Sequence, residues 1–151
     1  MRALVTVAEE AVLPVGAEAL WPYLVDETRL RAWRDGVEQF GRGELPAVGE
    51  TLFVAQRAVG RRLQGPATLA QCESARALSY ELGEPGDGYL AVRYDLWPQA
   101  NGCKLVVSET VDAPGVPIIG PWLGHRWVAP RLRAELTRDL ARLRQRLAEP
   151  A

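Results

Sequence analysis

Residues 11–40 read AVLPVGAEALWPYLVDETRLRAWRDGVEQF, and this stretch decides the fold. A strand runs into it and stops at Pro14, whose missing N–H cannot join a ladder. Gly16 opens a short helix, with Glu18 in the first turn, where a carboxylate suits the helix dipole. Leu20, Trp21 and Leu24 follow at helical spacing and give it one apolar face. Asp26 is placed to cap a second short helix over 27–34, with Leu30 and Trp33 on one side and Gly36 as its stop. A new strand begins at Val37.

Working outward, alternation and turn residues predict strands near 2–13, 37–43, 51–58, 62–73, 77–82, 89–97 and 103–111. Leu78, Tyr80 and Leu82 share one face, as do Leu90, Val92, Tyr94 and Leu96, and then Cys103, Leu105, Val107, Glu109 and Val111. Asn101-Gly102 is a strong hairpin signal. Short loops between nearly all strands make the sheet antiparallel. Residues 113–127 are apolar but broken by repeated Pro and Gly, and read as an irregular segment. A helix over 128–147 follows, with Leu132, Leu136, Leu140, Leu143 and Leu147 in a narrow stripe. Such a helix is unstable alone and must lay that stripe on the sheet. The expectation is α+β: a curved antiparallel sheet of about seven strands, two short helices and a long C-terminal helix. One domain covers 1–151, with an apolar cavity beneath the last helix.

Composition narrows the function. The chain has 151 residues, 48% hydrophobic and 25% charged, as expected for one globular domain. A net charge of -1 gives no global field for nucleic acid or an anionic membrane. Glu9 and Glu10 stand where a signal peptide needs an apolar core, and no apolar run approaches the roughly 20 residues of a membrane span. The expected location is the cytoplasm, without stable membrane insertion. Cys72 and Cys103 then read as free thiols. The only histidine is His125, and no CxxC or HxxxH spacing occurs, so neither a metal site nor a cofactor is expected. Gly41-x-Gly43 continues into Glu44, not into a dinucleotide or phosphate loop.

The ordered set resembles the START-like (SRPBCC) superfamily. The residues that carry the resemblance are Leu13-Pro14 before Ala17-Glu18-x-Leu20-Trp21-x-x-Leu24-x-Asp26, then Leu30-x-x-Trp33. Val48-Gly49-Glu50-Thr51, Leu78-Ser79-Tyr80, the Asn101-Gly102 hairpin and the terminal helix complete it. The superfamily includes birch-pollen-type allergens, bacterial polyketide cyclase-like proteins and steroidogenic lipid-transfer domains. The resemblance implies a helix-grip architecture with an internal cavity. It does not select an activity, because the fold hosts transport, cyclisation and co-chaperone roles.

Within that frame Glu109 is the residue of most interest. If its face lines the cavity, a carboxylate stands among Leu105, Val107 and Val111, and needs an ion partner or a proton. It then orients a polar ligand head or serves as acid or base; alternatively a bulge turns it to solvent. Arg57 and Arg93 are the partners considered, although alternation puts Arg93 on the other face. The remaining candidate ligand-binding residues are Trp33, Phe53, Gln71, Tyr80, Tyr94, Val107, Trp122, Trp127 and Leu136, the aromatic ones being equally readable as core. His125 acting on Ser108 or Cys103 is poorly supported. The arginines of the last helix read as a solvated face with local pairs such as Glu135–Arg138 and Asp139–Arg142. The leading expectation is binding of a small, mainly hydrophobic molecule by a monomer or homodimer, with no visible catalytic constellation. A polyketide aromatase/cyclase-like enzyme and a chaperone-activator-like interaction module are the alternatives.

Overall fold

The computed structural model describes residues 4–41, 44–112 and 120–149, and only the backbone of 120–125. Its elements are β1 (Leu4–Leu13), α1 (Ala17–Leu20), α2 (Pro22–Val25), α3 (Glu27–Trp33), β2 (Val37–Phe40), β3 (Thr51–Ala58), β4 (Arg61–Glu73), β5 (Ala77–Gly83), β6 (Tyr89–Gln99), β7 (Gly102–Asp112) and α4 (Gly120–Ala148). The strands form one antiparallel sheet in the order β1-β7-β6-β5-β4-β3-β2. Sequential hairpins build all of it except β1, which returns beside β7. With the long helix laid against it, the sheet has the helix-grip arrangement.

Three details differ from the sequence reading, each for a local reason. The first short helix is two, because Pro22 has no N–H to continue the hydrogen-bond ladder and instead begins α2. Asp26 precedes α3 but its side chain caps nothing; it lies 3.9 Å from Arg29 instead. The last helix begins at Gly120, well before residue 128, and carries Pro130 inside it. At 1.5 Å per residue its 29 residues span about 43 Å. The irregular segment expected over 113–127 therefore ends before Gly120, and residues 113–119 lie outside the described ones.

The hairpin signal before β7 holds with a shift of one position. Gln99 pairs with Gly102, so Ala100 and Asn101 form the turn. Gly102 has φ +152, and a Cβ there would meet the Leu13 carbonyl oxygen at 1.9 Å. The hairpin thereby sits tightly against the end of β1.

The inner face of the sheet buries Val5, Val7, Val54, Leu69, Leu78, Leu90, Val92 and Leu105 among others. Leu132, Leu136, Leu140 and Leu143 of α4 join this core, and Leu147 packs at its margin. Helix α4 runs along β1 and α3. It is pinned by Arg133 to Glu9 (2.8 Å) and by Arg144 Nη2, which donates to the Val12 carbonyl (2.9 Å).

Candidate functional site

The polar centre of the molecule begins at the end of α3. The last helical residue is Trp33, and Arg34 follows in an extended conformation with φ -94 and ψ 96. Two residues on, the chain runs hard against β3: Arg57 N–H donates to the Gly36 carbonyl at 2.7 Å. A Cβ on Gly36 would lie 2.2 Å from the Arg57 carbonyl oxygen. Gly36 is therefore needed for close approach, not as a left-handed helix cap. Held between helix end and strand, Arg34 has its side chain in the interior.

There it meets two carboxylates. Arg34 Nη2 donates to Glu109 Oε1 of β7, and Nη1 donates to Asp139 Oδ2 of α4 at 3.1 Å. Gln56 of β3 donates from Nε2 to the same Glu109 oxygen (3.1 Å) and accepts from Tyr80 Oη (2.7 Å). Arg142 closes the outer side, donating to Asp139 Oδ1 (3.1 Å) and to the Trp33 carbonyl (2.9 Å). The network thus joins α3, β3, β5, β7 and α4. Trp33 and Tyr94 wall it, with Arg34 Cζ 5.7 and 5.8 Å from their ring centroids. The Trp33 ring meets Tyr94 edge-on at 6.1 Å and donates Nε1–H to the Tyr23 carbonyl at 2.9 Å.

Electrostatics follow from this packing. Burial opposes the Arg34 charge, but Glu109, Tyr94 and Asp139 outweigh it and hold the guanidinium firmly protonated. Burial pushes the Asp139 carboxyl above its ordinary range; Arg34 and the Asp35 N–H pull it back, and Glu109 adds to the push. Burial pushes the Tyr94 phenol up to about 12 although Arg34 resists, so it stays a donor at neutral pH. Two buried polar atoms have no hydrogen bond among the described residues: Arg34 Nε and Tyr94 Oη.

A recess of about 170 Å³ opens beside the network, floored by Arg34, Gln56, Glu109 and Asp139 and rimmed by Arg138 and Arg142. On its far wall Val59 stands in the left-handed region at φ 51, an uncommon place for a β-branched residue. Its N–H donates to both Glu135 oxygens of α4, at 3.1 and 3.2 Å. Glu135 is thus spent on this turn and not on Arg138, whereas the expected Asp139–Arg142 pair forms.

Of the residues singled out in the sequence, Trp33, Tyr80, Tyr94, Val107, Glu109 and Leu136 meet in the interior. Glu109 faces inward, and its partner is Arg34, not Arg57 or Arg93. Arg57 pairs with Glu38, and Arg93 with Asp95, both at the surface. Phe53 lies outside, 46% exposed, because Leu52 and Val54 take the inward positions of β3. Gln71 follows a register shift in β4 and accepts from Arg93 on the outer face. Trp127 is 70% exposed: with α4 already begun, it sits five residues before Leu132, about 140° away around the helix. The side chains of Trp122 and His125 lie outside the described residues. Arg34, Gln56 and Asp139 were missed by the sequence reading. Arg34 directly follows Trp33 at the end of an apolar-faced helix, and Asp139 sits one residue before the Leu140 of the stripe; those positions were the available signals.

A family model described as polyketide cyclase/dehydrase and lipid transport matches residues 5–148. This chain belongs to that family. A search of curated proteins finds no match. Among solved structures, a protein from Mesorhizobium loti is similar at 20% identity and TM-score 0.65, over 93% of this chain and 94% of the other. A Staphylococcus aureus protein of unknown function reaches TM-score 0.73 at 7% identity, over 97% and 94%. A di-domain ARO/CYC protein from the BE-7585A biosynthetic pathway reaches 0.70 at 16% identity, over 98% of this chain and 51% of that one. At these identities the likeness is one of fold. No helix among the described residues is long and apolar enough to cross a membrane.

Proposed function

We propose that this protein binds a small, mainly hydrophobic molecule in the space between the curved sheet and α4. One observation carries the reading: in an interior where nearly every polar atom is paired, Arg34 Nε and Tyr94 Oη are left over. Buried polar groups ordinarily find partners, and each one left over calls for an explanation. Around them stand Trp33, Tyr80, Val107 and Leu136, which offer apolar and aromatic contact. Binding would draw on apolar burial, about 25 cal/mol per Å² before association costs.

The family's description also names cyclases and dehydrases. Acid–base work by Glu109 draws little support from the geometry, since Arg34 and Gln56 both engage its Oε1. The side chain is better suited to fixing Arg34 than to moving a proton. Native mass spectrometry of the freshly purified protein, followed by thermal shift against aromatic and aliphatic compounds, tests the binding reading. Retained small-molecule mass or a raised Tm supports it. A protein that carries nothing and responds to no apolar compound refutes it.

A further inference from the structure

We infer that the tip of the β3–β4 hairpin is the gate to the interior of this protein, and that Glu135 of α4 is the catch that holds it shut. The inference rests on the binding reading above and adds how that site is entered.

Size sets the problem. The recess beside the Arg34 network measures about 170 Å³, whereas pockets for small organic ligands run to roughly 300–1,000 Å³. A molecule of the proposed class enters only if a wall gives way, and the walls are unequal. Helix α4 is fastened on its far side, with Leu132, Leu136, Leu140 and Leu143 in the core, Arg133 on Glu9 and Arg144 on Val12. The floor is the buried ion network. Strand β3 is tied down as far as Arg57, whose N–H donates to the Gly36 carbonyl, and Arg61 tethers the start of β4 to Asp112. Between those anchors lies the two-residue turn Val59-Gly60, closed by the Ala58–Arg61 pair. Among the described residues, the hydrogen bonds that cross from this turn to α4 run from the Val59 N–H to the two Glu135 oxygens.

The turn itself is strained. Val59 has φ 51 and Gly60 φ 77, both positive as a type I′ turn demands. Glycine adopts this freely. A β-branched residue does not, and such a conformation persists only where its surroundings impose it. Here the imposing group is the Glu135 carboxylate, which draws the Val59 N–H toward α4. Val59, Gly60 and Glu135 all line the recess, so the catch forms part of its wall. Once released, the turn relaxes toward negative φ and the half-buried Glu135 side chain swings to solvent. The opening then widens toward Arg34 and Glu109 while the anchors on either side hold.

The test follows two uncharged apolar dyes, N-phenyl-1-naphthylamine and diphenylhexatriene, by stopped-flow fluorescence on the full chain. The catch closes over empty and filled protein alike. In Glu135→Ala, association and dissociation rates should therefore rise together by about tenfold or more, as expected for losing a hydrogen bond to a charged group, with Kd changed by less than about threefold. In Val59→Asn, which suits a positive φ, both rates should fall several-fold, again at nearly constant Kd. A purely structural Glu135 shifts Tm in the two variants but leaves dye exchange at the parent's rates, and that result overturns the inference. So does a change in Kd carried by the dissociation rate alone, which makes Glu135 a ligand contact. In both cases the dye still binds, and the binding reading stands. Val59→Asn decides by itself if Glu135→Ala does not fold. If neither dye binds the parent or either variant, both the gate and the binding reading fall.

Discussion

Two buried carboxylates, Asp112 at the end of β7 and Asp139 on α4, are satisfied in contrasting ways. Asp112, the last residue of β7, is wholly buried and takes the backbone N–H groups of Gly86 (3.1 Å), Gly88 (2.9 Å) and Tyr89 (2.8 Å), with Arg61 Nη1 at 3.2 Å. Burial alone would raise its carboxyl, but those backbone donors and Arg61 prevail and hold it below the ordinary range. Asp139, in the Arg34 network, is held mainly by the side chains of Arg34 and Arg142 with the Asp35 N–H at 3.5 Å, shares Arg34 with Glu109, and is raised. Main-chain donors fixed by a turn supply three of the groups on Asp112, and Arg61 is its one charged partner among the described residues. A side-chain network draws in a second acid and leaves atoms unused. The Asp112 end has the features of a structural lock, and the Arg34 end those of a place kept open to a guest.

The sharpest way to break this contrast is Arg34→Met. It strands Glu109 without its cation and leaves Asp139 with the Arg142 cation alone, and the expected loss is about 3–5 kcal/mol in urea unfolding. Adding Glu109→Gln to that variant should recover part of the loss. A loss below about 1 kcal/mol would mean the network is better hydrated than its burial indicates.

Next in size is Asp112→Ala, which leaves three turn N–H groups without their acceptor. The expected cost is about 1–3 kcal/mol, with faster hydrogen exchange at Gly86, Gly88 and Tyr89. A variant as stable as the parent would remove the lock from the account.

The smallest effect is a matter of sign. Asp112 has a lowered folded-state value, so its contribution is present above the unfolded value, about 3.9, and is lost as pH falls through the folded one. Asp139 has a raised value, so the native state holds its proton more tightly, and stability declines as pH rises from the unfolded value through the folded one. Stability measured across the acid range should therefore lose its rising limb in Asp112→Ala and its falling limb in Asp139→Asn. Matching slopes in both variants would contradict the opposed environments.

Much of the frame was legible before any coordinates. Strand alternation grouped Tyr80, Tyr94 and Val107 with inward apolar neighbours and left Glu109 open between that face and solvent, and the leucine stripe located the buried side of α4. These signals are local and periodic, so a single chain displays them. The site was legible only in part, because its partners meet across long separations: Arg34 binds residues 75 and 105 positions away. Nothing in periodicity marks an arginine that turns inward just past a helix end. Gly36 was read as a helix stop because a glycine there usually is one; its contact with the Arg57 carbonyl depends on a strand that arrives later in the chain. Phe53 is an aromatic whose phase along β3 directs it outward, whereas Trp127 acquires its outward phase only from the early start of α4 at Gly120.

The arginine clasp on Val12 bears on how this protein keeps to itself. With β1 at the end of the sheet order, its outer row of carbonyls and N–H groups is an open template on which a stranger's strand could extend the sheet. Arg144 occupies one of those carbonyls from α4, and Arg133 holds Glu9 further along. The helix that roofs the interior is also a guard rail against fibril-like stacking, so a change that loosens α4 would expose the molecule to self-association before it unfolds.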